Sequence, residues 1–217
     1  MKKNILGVTL ARGGSKGIKN KNLTIINGKP LIYYTIKEAK KSKNITNYIV
    51  STDNDKIRNI AQKYKAEVPF IRPKKFSKDS SSSASALKHS LIKCEKYYNK
   101  KFDYVVELMA TNPLKSVNDI NNIIKILLKY NADSVIAVNQ LFDHHPARIK
   151  KIIKGKLHDF SIKERLESRR QDLKPKAYIR SGSIYAMSRK FVMQEKRYFS
   201  GKSLAYVLPS ERTINID

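Results

Sequence analysis

Runs of aliphatic and β-branched residues alternate along the chain with stretches whose apolar positions recur every third or fourth residue. Ile5 to Leu10 is a continuous apolar run of the kind that forms a buried strand; Tyr48 to Ser51, Val68 to Ile71, Tyr104 to Met109 and Ser134 to Val138 repeat the pattern. Between these runs, Ile57, Ile60, Ala61 and Tyr64 fall on one helical face. Leu87, Leu91, Cys94 and Tyr98 form a second such face, and Ile120, Ile123, Ile124 and Leu127 a third. Strand–helix alternation repeated four times predicts an α/β fold, a parallel sheet with helices on both faces. Ligands of such sheets gather beyond the carboxyl ends of the strands.

After Val138 the rhythm breaks. Residues 139–181 are polar and basic, with His144, His145 and Pro146 and the cluster Arg165, Arg169 and Arg170. So long a stretch without clear periodicity reads as an insertion with a task of its own, an interface or a lid. The whole chain, 1–217, is therefore expected to be one domain with this insertion inside it; its 217 residues, 41% of them apolar, allow a real core. No run approaches the roughly 18 apolar residues of a membrane span. The apolar start after Lys2 and Lys3 imitates a signal peptide, but Arg12, Gly13 and Gly14 stand where a cleavage site would be, so it is expected to be a first strand. The single cysteine, Cys94, rules out an internal disulfide framework and fits a reducing cytoplasm. Its place on an apolar stripe makes it core filler rather than nucleophile.

Charge narrows the partners. The formal net charge is +27, which points either to a polyanionic ligand or to a lysine-rich surface. Lysines outnumber arginines about three to one and are scattered, with no long basic block. Nucleic-acid-binding stripes are clustered, so no specific nucleic-acid partner and no membrane partner is expected.

The candidate chemistry begins where the first strand ends. Leu10-Ala11-Arg12-Gly13-Gly14-Ser15-Lys16-Gly17, followed by Lys21 and Asn22, matches neither a Walker loop nor a dinucleotide fingerprint. It is still a glycine-rich turn with cations, able to offer backbone N–H groups and positive charge to a phosphate chain. Together with Asn27-Gly28-Lys29-Pro30-Leu31-Ile32, it resembles the opening of the acylneuraminate cytidylyltransferases, the CMP-sialic acid synthetases. The likeness continues in order nearly end to end. It takes in Ser51-Thr52-Asp53, Arg72-Pro73 with Asp79 and the serines 80–83, and Leu108-Met109-Ala110-Thr111-Asn112-Pro113-Leu114-Lys115. It resumes at His144-His145-Pro146, Arg170-Gln171-Asp172-Leu173, Ser181-Gly182-Ser183-Ile184-Tyr185 and Thr213-Ile214-Asn215-Ile216-Asp217.

That resemblance implies a Rossmann-like, mostly parallel sheet with a dimerisation and sugar-contacting insertion at 139–181, and a homodimer. It implies transfer of CMP from CTP to a nonulosonic acid, with release of pyrophosphate and with Mg²⁺ as cofactor. Leu10, Ala11, Arg12, Ser15, Lys21 and Asn22 would hold the nucleotide, Arg12 and Lys21 acting on the phosphates, and Arg72, Ser81 and Ser83 would surround cytosine and ribose. Arg148, Arg170, Tyr185, Tyr198 and Phe199 would meet the sugar acid. Asp217 would be the main metal ligand and a catalytic residue, with Asn215 as its neutral neighbour. Two positions depart from the family: Met109 stands where a glutamine contacts the sugar, and Asn215 replaces the first of two metal-binding aspartates.

Other readings stay open on the residues alone. His144 and His145 have no third ligand at a recognisable spacing and read as loop or interface residues. Asp53 and Asp55 read either as metal ligands or as the cap of the following helix. The sugar acid is of the sialic, legionaminic, pseudaminic or 3-deoxy-octulosonic type. A non-catalytic nucleotide- or nucleic-acid-binding protein is the rival from another class.

Overall fold

The chain runs through β1 (Ile5–Leu10), a small hairpin of β2 (Ile25–Ile26) and β3 (Lys29–Pro30), α1 (Leu31–Lys41), β4 (Asn47–Ser51), α2 (Asp55–Lys63) and α3 (Ser83–Tyr97). It continues with β5 (Tyr104–Leu108), α4 (Val117–Tyr130), β6 (Ser134–Leu141), the hairpin β7 (Lys150–Ile153) and β8 (Lys156–Asp159), β9 (Ala177–Ser188), α5 (Arg189–Met193) and β10 (Ser203–Val207). This is a computed structural model that describes residues 3–14, 17–78, 80–164, 169–195, 199 and 202–216, with Arg170 by its backbone alone. Among the described residues no helix is long and apolar enough to cross a membrane.

Six strands form the main sheet in the order β10-β6-β9-β5-β1-β4. All run parallel except β9, which is antiparallel to both β5 and β6. The sheet is buried on both faces, which is why its central strands read as unbroken apolar runs. On one face Ile32 and Ile36 of α1, Ile57 of α2 and Ile120, Ile123 and Leu127 of α4 pack on Val50, Val106, Val135 and Ala186. On the other, Leu87, Leu91 and Cys94 of α3 and Phe191 and Val192 of α5 pack on Leu6, Val8, Val105 and Met187. Cys94 is core filler, as its spacing predicts, and burial pushes its thiol up to about 12.

Helix starts are set by side-chain oxygens. Asn54, rather than Asp53 or Asp55, caps α2 by accepting from the Ile57 N–H at 3.1 Å. Ser82 caps α3 through Ser85 N–H at 3.1 Å. Ser116 and Asp119 form a reciprocal capping box on α4.

The expected strand at Val68 to Ile71 does not form. The segment touches the sheet only through two isolated bridges, Ile49 with Glu67 and Thr52 with Ile71. Pro69 has no N–H to give to a ladder, so the chain meets β4 on either side of it and departs. The insertion is also more ordered than its composition suggests. β6 continues to Leu141 and β9 begins at Ala177, and Val138 to Leu141 pair with Arg180 to Ala177 as a two-stranded extension. The excursion proper is 142–176, with the β7–β8 hairpin at its heart. His145 pins its base: buried, it accepts from the Ala147 N–H at Nδ1 (3.2 Å), so Nε2 carries the proton donated to the Pro175 carbonyl at 2.8 Å. Across the hairpin Ile152 faces Leu157, and the two are 74% and 73% exposed.

Behind the sheet one ion pair joins three elements. Arg189 at the start of α5 donates from Nε and Nη2 to both oxygens of Glu95 on α3, at 2.7 and 2.9 Å, while the Phe102 N–H ahead of β5 donates to the same carboxylate. Burial by itself would push the Glu95 carboxyl up, but hydrogen bonds from Arg189, Phe102 and Lys101 outweigh it and bring it from 4.5 down to about 2. A carboxyl whose pKa falls on folding adds stability above its unfolded value, and that contribution disappears as the pH drops through the folded one. Replacing Arg189 by leucine leaves Glu95 in the core with its main counter-charge gone. Arg189→Leu is expected to cost about 3 kcal/mol at neutral pH. Thermal unfolding followed from pH 4.5 down to about 2 should then show a shallower acid-dependent loss in the variant than in the wild type.

Candidate active site

At the end of β1 the backbone keeps its parallel pairing for one more step, Ala11 N–H donating to Ser51 O at 3.0 Å, and then turns into the glycine loop. Asp53 accepts the Gly13 N–H at 3.0 Å, and Asn22 donates from Nδ2 to the Arg12 carbonyl at 3.1 Å. Any side chain at Gly13 would come within 2.7 Å of Asn54, whereas Gly14 faces open space. The loop is thus pressed onto the β4–α2 turn on one side and left accessible on the other. Asp53 anchors this loop. It neither caps a helix nor joins a cluster of acids, and no group of three or more potential metal-binding His, Cys, Asp or Glu residues occurs among the described residues.

Beside the loop, below the N-terminus of α3, lies a cavity of about 320 Å³ lined by Leu10, Arg12, Arg72, Phe76, Lys78, Ser81, Ser82, Ser83, Glu107 and Met109, among others. Five residues that the resemblance assigns to the nucleotide, Leu10, Arg12, Arg72, Ser81 and Ser83, therefore line one cavity. Ala11 has its methyl in the core and can act only through its backbone. Arg72 is almost fully buried and gives its Nε–H to Ser77 Oγ at 3.0 Å. Burial lowers its pKa and Arg12 adds to that effect, while the charges of Asp53 and Glu107 oppose it. Ser81 is held by its own hydroxyl, which donates to the Lys75 carbonyl at 2.7 Å. A helix N-terminus, two arginines and a lysine around one concavity suit an anion. A larger cavity of about 380 Å³ beside the end of β6 includes His144, Asn139 and Asp143 but neither lysine nor arginine, and so lacks the charge a triphosphate needs.

The last described residues lie against the loop that follows β5. After β10 the chain makes a short 3-10 turn at Ser210–Arg212 and runs across the ends of β5 and β9. Asn112 donates from Nδ2 to the carbonyls of Arg212 and Ile214, at 3.2 and 3.0 Å, and Ile216 N–H reaches Thr111 O at 2.8 Å. Lys21 donates to the Ile216 carbonyl at 3.2 Å, tying the glycine loop to this segment. Asn215 gives its amide N–H to Ser181 O at 2.6 Å, beside Gly182, whose φ of +62° and lack of Cβ leave room for it. The 109–115 loop beneath is held by Lys115, fully buried and donating to Thr35 Oγ1, the Met109 carbonyl and the Asn112 carbonyl. Burial brings the Lys115 ammonium down to about 7 against the opposing charges of Asp119 and Glu38.

The sugar-side residues are less concentrated. Tyr185 is buried on β9, directly across from Glu107; burial, and then the Glu107 charge, raise its phenol. Phe199 is 76% exposed. Arg148 stands in the excursion within 3.7 Å of Glu164, and Arg169 pairs with Asp172 at 2.8 Å, so the insertion supplies acids of its own for its arginines. Ser15, Asp79, Arg165, Tyr198, Asp217 and the side chain of Arg170 lie outside the described residues. Sequence reading passed over Glu107, Asp119 and Arg212, and named Lys115 within its motif without giving it a role. The clue to Glu107 was a lone acid inside the apolar strand Tyr104-Val105-Val106-Glu107-Leu108.

Comparison with known proteins agrees with this geometry. The chain is 30% identical over 98% of its length to a CMP-N,N'-diacetyllegionaminic acid synthase of Campylobacter jejuni, covering 89% of that protein. It is 32% identical over 95% of its length to a pseudaminic acid cytidylyltransferase of the same species, covering 88% of it. Among solved structures, CMP:2-keto-3-deoxy-manno-octonic acid synthetase complexed with CTP shares the fold, with a TM-score of 0.69 at 15% identity over 95% of this chain and 90% of that one. The family model described as cytidylyltransferase matches residues 6–200. A glycine loop, a cationic cavity under a helix N-terminus and a family match over most of the sequence converge: the chain belongs to the cytidylyltransferase family.

Proposed function

We propose that the protein transfers CMP from CTP to a nonulosonic acid of the legionaminic, pseudaminic or sialic type, releasing pyrophosphate. The observation that carries this reading is the cavity in which Arg12, Arg72, Lys78 and the N-terminus of α3 converge at the carboxyl ends of β1 and β5. A hydroxyl of the sugar acid attacks the α-phosphorus, its bond to phosphorus forms as the bond to pyrophosphate breaks, and the hydroxyl proton is lost. Such a transfer depends on alignment and on neutralising charge. Arg12 and Lys21 supply cations to the phosphates, and the exposed side of Gly14 lets backbone N–H groups approach them. Arg72, Ser81 and Ser83 hold the base and ribose. Tyr185 and Met109 border the sugar acid, and arginines of the excursion, Arg148 and Arg170 among them, meet its carboxylate from a second copy of the chain. The reaction belongs in the cytoplasm, where CTP is made.

Mg²⁺ fits the donors available. Asn215 keeps Oδ1 for a hard cation once its amide nitrogen is committed to Ser181 O, and Asp217 adds a carboxylate two residues on. So few protein oxygens suit an ion that retains water and takes most of its remaining ligands from phosphates. Bound there, Mg²⁺ would neutralise triphosphate charge.

Incubation with CTP, Mg²⁺ and each candidate sugar acid, assayed for pyrophosphate, tests the reaction; CTP should be used in preference to ATP, GTP and UTP. No pyrophosphate with any combination would favour the non-catalytic rival.

Three sets of variants test the parts. Arg12→Ala and Lys21→Ala each remove a charge-assisted contact worth about 1.5–3 kcal/mol, so turnover should fall roughly tenfold to a hundredfold with little change in melting temperature. Wild-type rates in both would place the nucleotide elsewhere.

For the metal, Asn215→Asp should lower the Mg²⁺ concentration needed for half-maximal rate, and Asp217→Asn should nearly abolish turnover while CTP binding survives. Without Mg²⁺, Asn215→Asp sets a carboxylate against Ser181 O and should lose about 1 kcal/mol of stability. An unchanged Mg²⁺ dependence together with an active Asp217→Asn would move the metal site away from these residues.

For assembly, light scattering at micromolar concentration should report a dimer, and Ile152→Lys with Leu157→Lys should convert it to a monomer. A wild-type monomer would rule out the shared site.

A further inference from the structure

Glu107 has no part in the scheme above, yet its position is central. It lies near the end of β5, paired with Val8 of β1 on one side and Tyr185 of β9 on the other, and it has no solvent exposure. It nevertheless lines the cavity under α3 together with Arg72, Phe76 and Met109. A carboxylate withdrawn from water into a sheet is tolerated only where cations or hydrogen-bond donors offset the loss of hydration. Arg72 is one such group, and the two charges act on each other across the cavity wall. Arg72 has its Nε–H on Ser77, so its terminal nitrogens carry its remaining donors.

The wall of one cavity therefore includes a carboxylate acceptor and a guanidinium donor fork. We propose that Glu107 is a specificity-determining residue that, with Arg72, reads the pyrimidine edge. The Glu107 carboxylate accepts a hydrogen bond from the exocyclic 4-amino group of cytosine, while Arg72 donates to N3 or to the 2-carbonyl. Cytosine offers one donor followed by two acceptors along this edge, the complement of that pair. Uracil reverses the first two positions. Its 4-carbonyl would face the carboxylate, oxygen against oxygen, and its N3–H would face the guanidinium, donor against donor. Selection thus works by repulsion of the wrong base as well as by attraction of the right one. This inference rests on CTP being the nucleotide.

The test uses calorimetric binding of CTP, of UTP and of the triphosphate of the 4-deamino analogue, pyrimidin-2-one riboside, to the full chain and to Glu107→Gln. Glutamine keeps the shape and can turn either its oxygen or its nitrogen to the base. The wild type should bind the deamino analogue about tenfold or more weakly than CTP. In Glu107→Gln the preference for CTP over UTP should shrink by a similar factor. A wild type indifferent to loss of the 4-amino group overturns the proposal without any variant, so a poorly folded Glu107→Gln does not shelter it. An unchanged CTP-to-UTP ratio in a folded Glu107→Gln also overturns it, including the case where only the KM for the sugar acid moves. If the wild type binds no nucleotide and releases no pyrophosphate, the cytidylyltransfer reading itself fails. If it does both but ignores the amino group, only the role of Glu107 fails.

Discussion

The carboxylate of Asp119 holds the site together. It is fully buried at the start of α4, where it accepts from the N–H and hydroxyl of Ser116, from the Tyr206 hydroxyl on β10, and from Nε and Nη2 of Arg212. Burial would raise its pKa, but these donors, Arg212 foremost, hold it below the usual carboxylate value. One side chain thus caps a helix, fastens the edge strand and fixes the turn from which the C-terminal segment departs. From Arg212 to Ile216 that segment has no strand of its own, and its course follows from its hydrogen bonds with Asn112, Thr111, Ser181 and Lys21.

The antiparallel β9 has a comparable effect on the sugar side. Inserted between β5 and β6, it brings Ser181 to the end of the sheet and Tyr185 beside Glu107. It also carries the chain back from the excursion, so Tyr185 and the base of the excursion are parts of one strand.

The net charge of +27 takes on a definite meaning only locally. Most lysines are scattered over the surface, whereas Arg12, Arg72 and Lys78 meet in one concavity where Asp53 and Glu107 partly balance them. Excess positive charge over the whole surface favours the approach of anions in general.

Much of this was legible in the residues. The strand runs of β1, β4, β5 and β6 and the faces of α2, α3 and α4 followed from apolar spacing, since burial against a sheet leaves a periodic mark on the sequence. The glycine loop was legible because close approach to Asn54 demands a residue without a side chain. Elements whose making depends on distant partners left weaker marks. Val68 to Ile71 looked like a strand, but Pro69 lacks the N–H that a ladder requires. The long strand β9 was concealed by its polar outer half, which is stabilised by pairing with β6. Glu107 and the Asp119–Arg212 pair escaped notice, and Lys115 was given no role, for the same reason: a charged residue looks solvated until the fold supplies its partners. The sequence by itself determined the layers of the sheet and the place of the glycine loop, because apolar periodicity and missing side chains act locally. Only the tertiary structure decided which charges are buried together and how the C-terminal segment is tied to that loop, because those energies arise between residues up to 195 positions apart.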